Sequence, residues 1–370
     1  MVKRFHGIDR HRQSATVSIL NREGIEEKFI GSIKDFGGYV ETLGPEDAVV
    51  METGAGSFYW ADKIEARGVQ CFIIDPYRFR IIKDSWNKTD KRDSRNMAKA
   101  LWVYMVTGEF GLPTVYKPSA LIRELRKLYT EYQVLNKQIR VFKNNIQSVL
   151  ADKLRVLPRL EKNHLLSVKH GKERLKELDI SDASEISIRI NLELLWVVLE
   201  KKEELVKEIL RIGEPLKEEV ELLITIRGIT PLTALAFLAD VGDIRRFKTL
   251  RKMSAYLGLV PKMRESGEKS RSGHINRASR KLTKTFLTQS LVQITDASAY
   301  FRDFYDALKL RRGAGRARIA LIRKLCGIMR RMLLNEEEFR HIETALYEKK
   351  RLKYEKELIQ IKEERERKSA

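Results

Sequence analysis

The first seventy-five residues alternate between short apolar runs and helical patterns. Phe5-His6-Gly7-Ile8-Asp9 reads as a strand, and Ala15-Thr16-Val17-Ser18-Ile19-Leu20 alternates apolar and small polar residues like its partner. A turn at Asn21-Arg22-Glu23-Gly24 leads to a third strand over Glu27–Gly31, and Asp35 to Leu43 has helical spacing. Ala48-Val49-Val50-Met51-Glu52 is a continuous apolar run of the kind a buried strand shows, and it ends in an acid and a Thr-Gly-Ala-Gly turn. A helix from Phe58 to Arg67 and another buried strand, Val69 to Asp75 with Pro76 as its stop, complete the pattern. Strands and helices interleaved in this way predict an α/β layer on a mixed sheet.

The character changes at Ser119. Leu121, Leu125, Leu128, Tyr132, Leu135, Ile139 and Phe142 recur at helical spacing with charges between them. After Pro158 and an irregular basic segment, Asp182 to Ile212 predicts a second long helix carrying Ile186, Ile190, Leu194 and Val197. Two antiparallel arms of a coiled coil fit this pattern, serving as a spacer or a dimer-forming hairpin. Residues 221–242, ELLITIRGITPLTALAFLADVG, resemble a helix-hairpin-helix: Gly228 supplies the turn, Thr230 the cap and Pro231 the first helical position. An ordinary helical hairpin reads equally well there. Helices follow at 250–257, 282–294, 301–310 and 319–334, and the mixed-charge stretch from Tyr347 reads as a solvated helix fraying at its end. The expectation is therefore an α/β + α chain in four parts: a mixed-sheet domain over 1–118, a coiled-coil arm over 119–215, a helical domain over 216–335 and a charged helical tail over 336–370.

Charge narrows the function. The 370 residues carry a net charge of +21 while 43% of them are apolar, so the chain has material for real cores and an excess of positive charge. Such a balance favours a polyanion, since released counterions supply much of the affinity for nucleic acid. No lipidation motif or amphipathic anchor supports a membrane surface instead. The opening MVKRFHGIDRHR has no apolar core of the kind a secretory leader carries, and no run of about 18 apolar residues is present to span a bilayer. The two cysteines, Cys71 and Cys326, lie far apart in apolar surroundings and read as buried thiols of a reducing cytoplasm; the six histidines show no zinc spacing.

Within this basic chain a few acids stand out. Lys88-Thr89-Asp90-Lys91-Arg92-Asp93-Ser94-Arg95 opens a helix, so Asp90 and Asp93 project about one turn apart on one face. Two carboxylates there supply part of the oxygen shell that Mg²⁺ or Mn²⁺ requires, while the neighbouring basic residues can hold a phosphate or neutralise the acids. The plainer reading is a solvated helix start favoured by the helix dipole. Asp9 and Glu52 fall at or near strand ends, where the chemistry of open α/β sheets gathers, although each has a structural alternative as an ion-pair partner or a helix cap. Four such acids in a chain rich in positive charge form a candidate metal site.

A second candidate lies in Pro261–Ile275. Between Arg251 and Lys284 there are ten Lys or Arg against two Glu, a phosphate-contacting composition that includes Lys262, Arg264, Lys269 and Arg271. Arg227 and Gly228, at the hairpin turn, are the other candidate contacts, since such a turn directs backbone N–H groups at phosphate without reading sequence. Ser266-Gly267 in this stretch, read as a flexible loop, offers a hydroxyl nucleophile. Its proton needs a base or a metal-bound oxygen nearby.

Taken together, GIDRHR, METGAGSFYW and KTDKRDSRNMAKAL resemble the N-terminal domain of the DEDD-type insertion-sequence transposases, a family that includes Piv-type invertases. The LGLVP and Ser-Gly pair ahead of a basic helix resembles that family's C-terminal transposase domain. The resemblance implies an RNase H-like, Holliday-resolvase-like fold for the first domain, with Asp9, Glu52, Asp90 and Asp93 as the metal-binding tetrad. It implies that Ser266 forms a covalent phosphoserine link to DNA, with Ser270 and Ser272 as secondary candidates. Ser94 stands where the family usually has alanine, and Glu265 where it often has a second serine. The resemblance further implies double-stranded DNA as substrate, an element-encoded guide RNA, and a dimer or tetramer. Two other functions fit the residues alone: a junction-selective nuclease that hydrolyses with water, and a non-catalytic nucleic-acid scaffold.

Overall fold

The computed structural model describes residues 1–82, 89–109, 111–152, 159–167, 170–177, 181–266, 269–275 and 279–369; for residues 80–82, 152, 159–162, 262–266, 269–275 and 368–369 it describes the backbone but not the side chains. The chain forms two compact units, Met1–Lys117 and Pro118–Ala370.

In the first unit β1 (Arg4–Arg10), β2 (Ala15–Leu20), β3 (Glu26–Ile33), β4 (Asp47–Glu52) and β5 (Gln70–Ile74) make one sheet in the order β3-β2-β1-β4-β5. β1 and β2 pair antiparallel, as do β2 and β3, whereas β1, β4 and β5 run parallel. The connections are α1 (Phe36–Glu41), α2 (Ser57–Glu65), α3 (Pro76–Ile82) and α4 (Asp90–Trp102). The mixed sheet is as predicted, and its two faces follow from strand alternation. Ile8, Val17, Val49, Met51 and Ile73 point to the α1 and α2 side, where Val40, Ala61 and Ile64 close the core. Phe5, Ala48, Val50 and Ile74 point the other way, toward Met97, Ala98 and Leu101 of α4. Beyond β5, Val115 donates its N–H to Ile73 and Asp75 donates to Pro113, so residues 113–115 cover part of that sheet edge.

α4 lies directly on the sheet because Gly7 has no side chain. A Cβ there would sit 2.0 Å from the carbonyl oxygen of Ser94 and 2.3 Å from the nitrogen of Ala98. Ser94, fully buried, meets Ser18 of β2 at 3.0 Å between hydroxyls, and at the far end the Trp102 indole donates to the Arg22 carbonyl at 2.9 Å.

The second unit is helical. α5 (Ala120–Asp152) and α8 (Asp182–Ile212) pack along each other, with α6 (Arg159–Leu166) and α7 (Gly171–Lys176) between them in sequence. The start of α5 shares a core with the end of α8 through Leu125, Tyr129, Ile209 and Leu210, and the end of α5 shares one with the start of α8 through Ile146, Leu150, Ile188 and Leu192. The two helices are therefore antiparallel. The residues that face inward differ from those the sequence suggested: Ile188, Leu192 and Leu195 are buried, whereas Ile186, Ile190, Leu194 and Val197 are each about half exposed.

α9 (Lys217–Ile224), α10 (Pro231–Val241), α11 (Leu250–Tyr256), α12 (Leu282–Ala297), α13 (Ala299–Arg312), α14 (Ala314–Asn335) and α15 (Thr344–Ser369) complete the unit around one large core. Arg126 of α5 donates to the carbonyls of Ala239 and Asp240 at the end of α10, and Tyr129 donates to the Leu232 carbonyl, which anchors the root of the arm. Buried Asp240 accepts from the Thr283 backbone at 2.7 Å, capping α12, and pairs with Arg280 at 3.0 Å. α15 is not the solvated tail its composition suggested. Tyr354, Leu358 and Ile361, spaced four and three apart, are buried in the main core. The basic stretch read as a loop is a hairpin, β6 (Pro261–Ser266) antiparallel to β7 (Lys269–Ile275).

Candidate active site

The acids converge by sheet geometry. β1 and β4 are parallel neighbours with Ile8 opposite Met51, so Asp9 and Glu52 occupy the next step at the C-terminal ends of both strands. Asp9 shares its face with Gly7 and Phe5, and Glu52 shares its face with Val50 and Ala48, the face covered by α4. The helix begins where the carboxylates are needed. Thr89 caps it, its hydroxyl accepting from the Arg92 N–H at 3.3 Å, which places Asp90 and Asp93 in the first turn. Both carboxylates there are favoured by the positive end of the helix dipole. Asp93 turns one oxygen, Oδ1, away from solvent.

Asp9 and Asp90 come together with a residue that the sequence pattern did not single out. The donor atoms of Asp9, His11 and Asp90 lie within 4.8 Å of one another. His11 Nε2 is 3.3 Å from Asp90 Oδ2 and 3.8 Å from Asp9 Oδ2. Glu52, on the same sheet face as Asp9, and Asp93, one turn on from Asp90, are not part of this three-residue group. Nothing in residue spacing points to His11; only the turn between β1 and β2, in which the His11 N–H donates to the Ser14 carbonyl, directs it back toward Asp9. Two of the basic residues in the same stretch are engaged elsewhere: Lys91 lies 4.8 Å from the Phe29 ring centre, and Arg95 is 3.7 Å from Glu26. A partly exposed group of carboxylate oxygens with one imidazole suits a divalent cation by its donor chemistry, so the residues present fit a metal ion.

In the second unit, Ser266 ends β6. Backbone register pairs it with Lys269 and pairs Arg264 with Arg271; Lys262 lies near the start of the same strand. The side chains of all five lie outside the described residues. The α9–α10 turn is tightly packed. Gly228 adopts φ +85°, and a Cβ there would lie 2.8 Å from Cγ1 of Ile294. Arg227 pairs with Glu343 at 3.0 Å, and Lys350 donates to the Ile226 and Ile229 carbonyls. A cavity of about 920 Å³ near the base of the hairpin is walled mainly by apolar residues, among them Leu250, Leu259, Phe304, Leu308 and Ile319, with Arg312, Arg316, Arg323 and Lys324 also lining it. The thiols play no visible part: burial pushes Cys326 far up and Cys71 up to about 12. Among the described residues no helix is long and apolar enough to cross a membrane.

Acids gathered at the C-terminal ends of parallel strands, joined to a basic helical unit, are the layout of an enzyme that processes nucleic acid. Comparison with known proteins defines which one. A DEDD-type IS110 transposase family matches residues 6–153, and the transposase family IS116/IS110/IS902 matches residues 220–306. The transposase for insertion sequence element IS1111A of Coxiella burnetii is 26% identical over 306 residues, 79% of each chain. A Pseudomonas aeruginosa protein named "Probable family 20 transposase" is 24% identical over 349 residues, 90% of this chain and 94% of that one. The chain belongs to the IS110 family of DEDD-type transposases, enzymes that act on DNA.

Proposed function

We propose that this transposase cuts and rejoins DNA through a serine–phosphate link, with Asp9, Glu52, Asp90 and Asp93 holding divalent metal. The observation that carries the reading is the pairing of Asp9 and Glu52 at adjacent strand ends beneath the two aspartates of α4. A bound Mg²⁺ or Mn²⁺ supplies charge stabilisation to phosphodiester oxygens. Ser266 Oγ attacks phosphorus, gives up its proton, and forms an Oγ–P ester as the 3′ oxygen of the broken strand departs and is protonated. A second DNA end then displaces the serine, which regains its proton. The phosphodiester is conserved, so rejoining needs no energy-rich cofactor.

Lys262, Arg264, Lys269 and Arg271 hold phosphates around the serine, and Arg227 and Gly228 contact backbone at the α9–α10 turn as a helix-hairpin-helix does. A guide RNA encoded by the element selects the DNA sites, which accords with the positive charge. The mixed sheet, with α4 across it, accords with an RNase H-like fold. The arm of α5 and α8 brings copies together as a coiled coil into a dimer or tetramer.

The test is strand cleavage of the element's own ends, with its flanking RNA and Mg²⁺. Asp9→Asn and Asp90→Asn are expected to abolish cleavage while salt-dependent DNA binding persists. Cleavage at the wild-type rate in both variants would remove the acids from the mechanism.

A further inference from the structure

The first unit offers one more donor than the four acids. The backbone of His11 is held on both sides: its N–H donates to the Ser14 carbonyl at 2.8 Å, and its own carbonyl accepts from Arg10 at 3.3 Å. The ring is thereby directed at Asp9 and Asp90. Its separations of 3.3 and 3.8 Å from their oxygens exceed the roughly 2.7–2.9 Å of a charge-assisted N–H···O bond. The donor atoms of Asp9, His11 and Asp90 nevertheless lie within 4.8 Å of one another, close enough for one ion with bonds of about 2.1 Å to gather them after a small shift. The side chains of His11 and Asp90 are both more than half exposed, so each can settle onto an ion without disturbing the core.

We infer that His11 is a metal ligand, contributing Nε2 beside Asp9 and Asp90, and that it biases the site toward transition ions such as Mn²⁺ over Mg²⁺. The inference rests on the reading that these aspartates hold a divalent ion. Mg²⁺ prefers oxygen donors and keeps its waters, whereas imidazole nitrogen is a better partner for transition ions. A site with one nitrogen among its oxygens therefore discriminates where an all-carboxylate site does not.

The experiment uses the full chain with Mn²⁺ as probe. Pulsed electron paramagnetic resonance detects a directly bound nitrogen-14 as modulation of the Mn²⁺ echo, independently of any DNA reaction. The wild type is expected to show that modulation, and His11→Ala to lose it, with Mn²⁺ affinity falling about tenfold. Mg²⁺ affinity, read by competition, should fall much less. His11→Asp should recover Mn²⁺ binding without the nitrogen signal, showing that the variant site is still folded. Mn²⁺ bound to the wild type without nitrogen modulation, or modulation that persists in His11→Ala, overturns the role of His11 and leaves the carboxylate site standing. Failure of the wild type to bind Mn²⁺, or binding that survives both Asp9→Asn and Asp90→Asn, overturns the metal reading with it.

Discussion

Gly7 of β1 and Ser94 of α4 lie so close that a methyl group on the glycine would sit 2.0 Å from the serine's carbonyl oxygen. That contact sets the height of α4 above the sheet. Asp9 is two residues beyond Gly7 on the same strand face, and Asp90 is one turn before Ser94, so the same contact sets the gap between the acids. Gly7→Ala must push backbone away from backbone, since no flexible side-chain tip is available to yield. The expected cost is about 3 kcal/mol in urea unfolding of the first unit, with loss of cleavage. Stability within about 0.5 kcal/mol of wild type would show that the helix is free to lift.

Asp47 makes the first unit sensitive to acid. It is buried, which alone would raise its pKa, but the Nε2–H of His6 donates to it at 3.0 Å, Arg4 at 2.6 Å and the Gly44 N–H at 2.8 Å. On its other side the His6 ring shares a hydrogen bond between Nδ1 and the Tyr39 hydroxyl at 2.6 Å. These bonds outweigh desolvation and hold the carboxyl well below its usual range. The folded pKa is thus lower than the unfolded value of about 3.9, so the unfolded chain takes up the proton first as pH falls. The stabilisation is complete above about pH 5 and is lost as acid approaches the folded pKa. Asp47→Asn is expected to be less stable at neutral pH and to show a shallower fall in urea midpoint between about pH 5 and pH 2. Parallel curves for the two proteins would assign the acid sensitivity to other groups.

The strands of the first unit were legible because alternation and apolar runs survive in a basic chain: Val49-Val50-Met51 admits little but a buried strand, and its acid falls at the strand end. Asp90 and Asp93 were legible from their spacing at a helix start; the threonine that caps it was not read. Four features were hidden, each for a physical reason. The hairpin of β6 and β7 is built from Lys, Arg, Glu and Ser, so its backbone pairing leaves no hydrophobic alternation to read. On α8, apolar residues occupy more than one face, and the stripe of Ile186, Ile190, Leu194 and Val197 has as regular a period as the buried set of Ile188, Leu192 and Leu195. On α15, three core residues are diluted among charges. His11 was hidden because its approach to Asp90 depends on a turn and a crossover, not on its distance along the chain.

The exposed stripe on α8 supports the proposed assembly. Ile186, Ile190, Leu194 and Val197 recur every three or four residues on one side of an arm whose other side is already packed. Ile190→Glu with Leu194→Glu is expected to leave thermal stability almost unchanged and to reduce the mass in light scattering from oligomer to monomer. Leu192→Glu, in the buried set, is expected to destabilise the arm instead. An unchanged oligomer in the double variant would place the interface elsewhere.

The proposed covalent link between Ser266 and DNA, formed while the carboxylates act with metal, can be trapped. The direct measurement is adduct capture: the protein is incubated with labelled end DNA, the flanking RNA and Mg²⁺, then denatured and separated. Labelled strand is expected to be attached to the wild-type chain, with no attachment in Ser266→Ala or in Asp90→Ala. Cleavage that continues in Ser266→Ala with no adduct in any sample would contradict the covalent link and identify a hydrolytic nuclease.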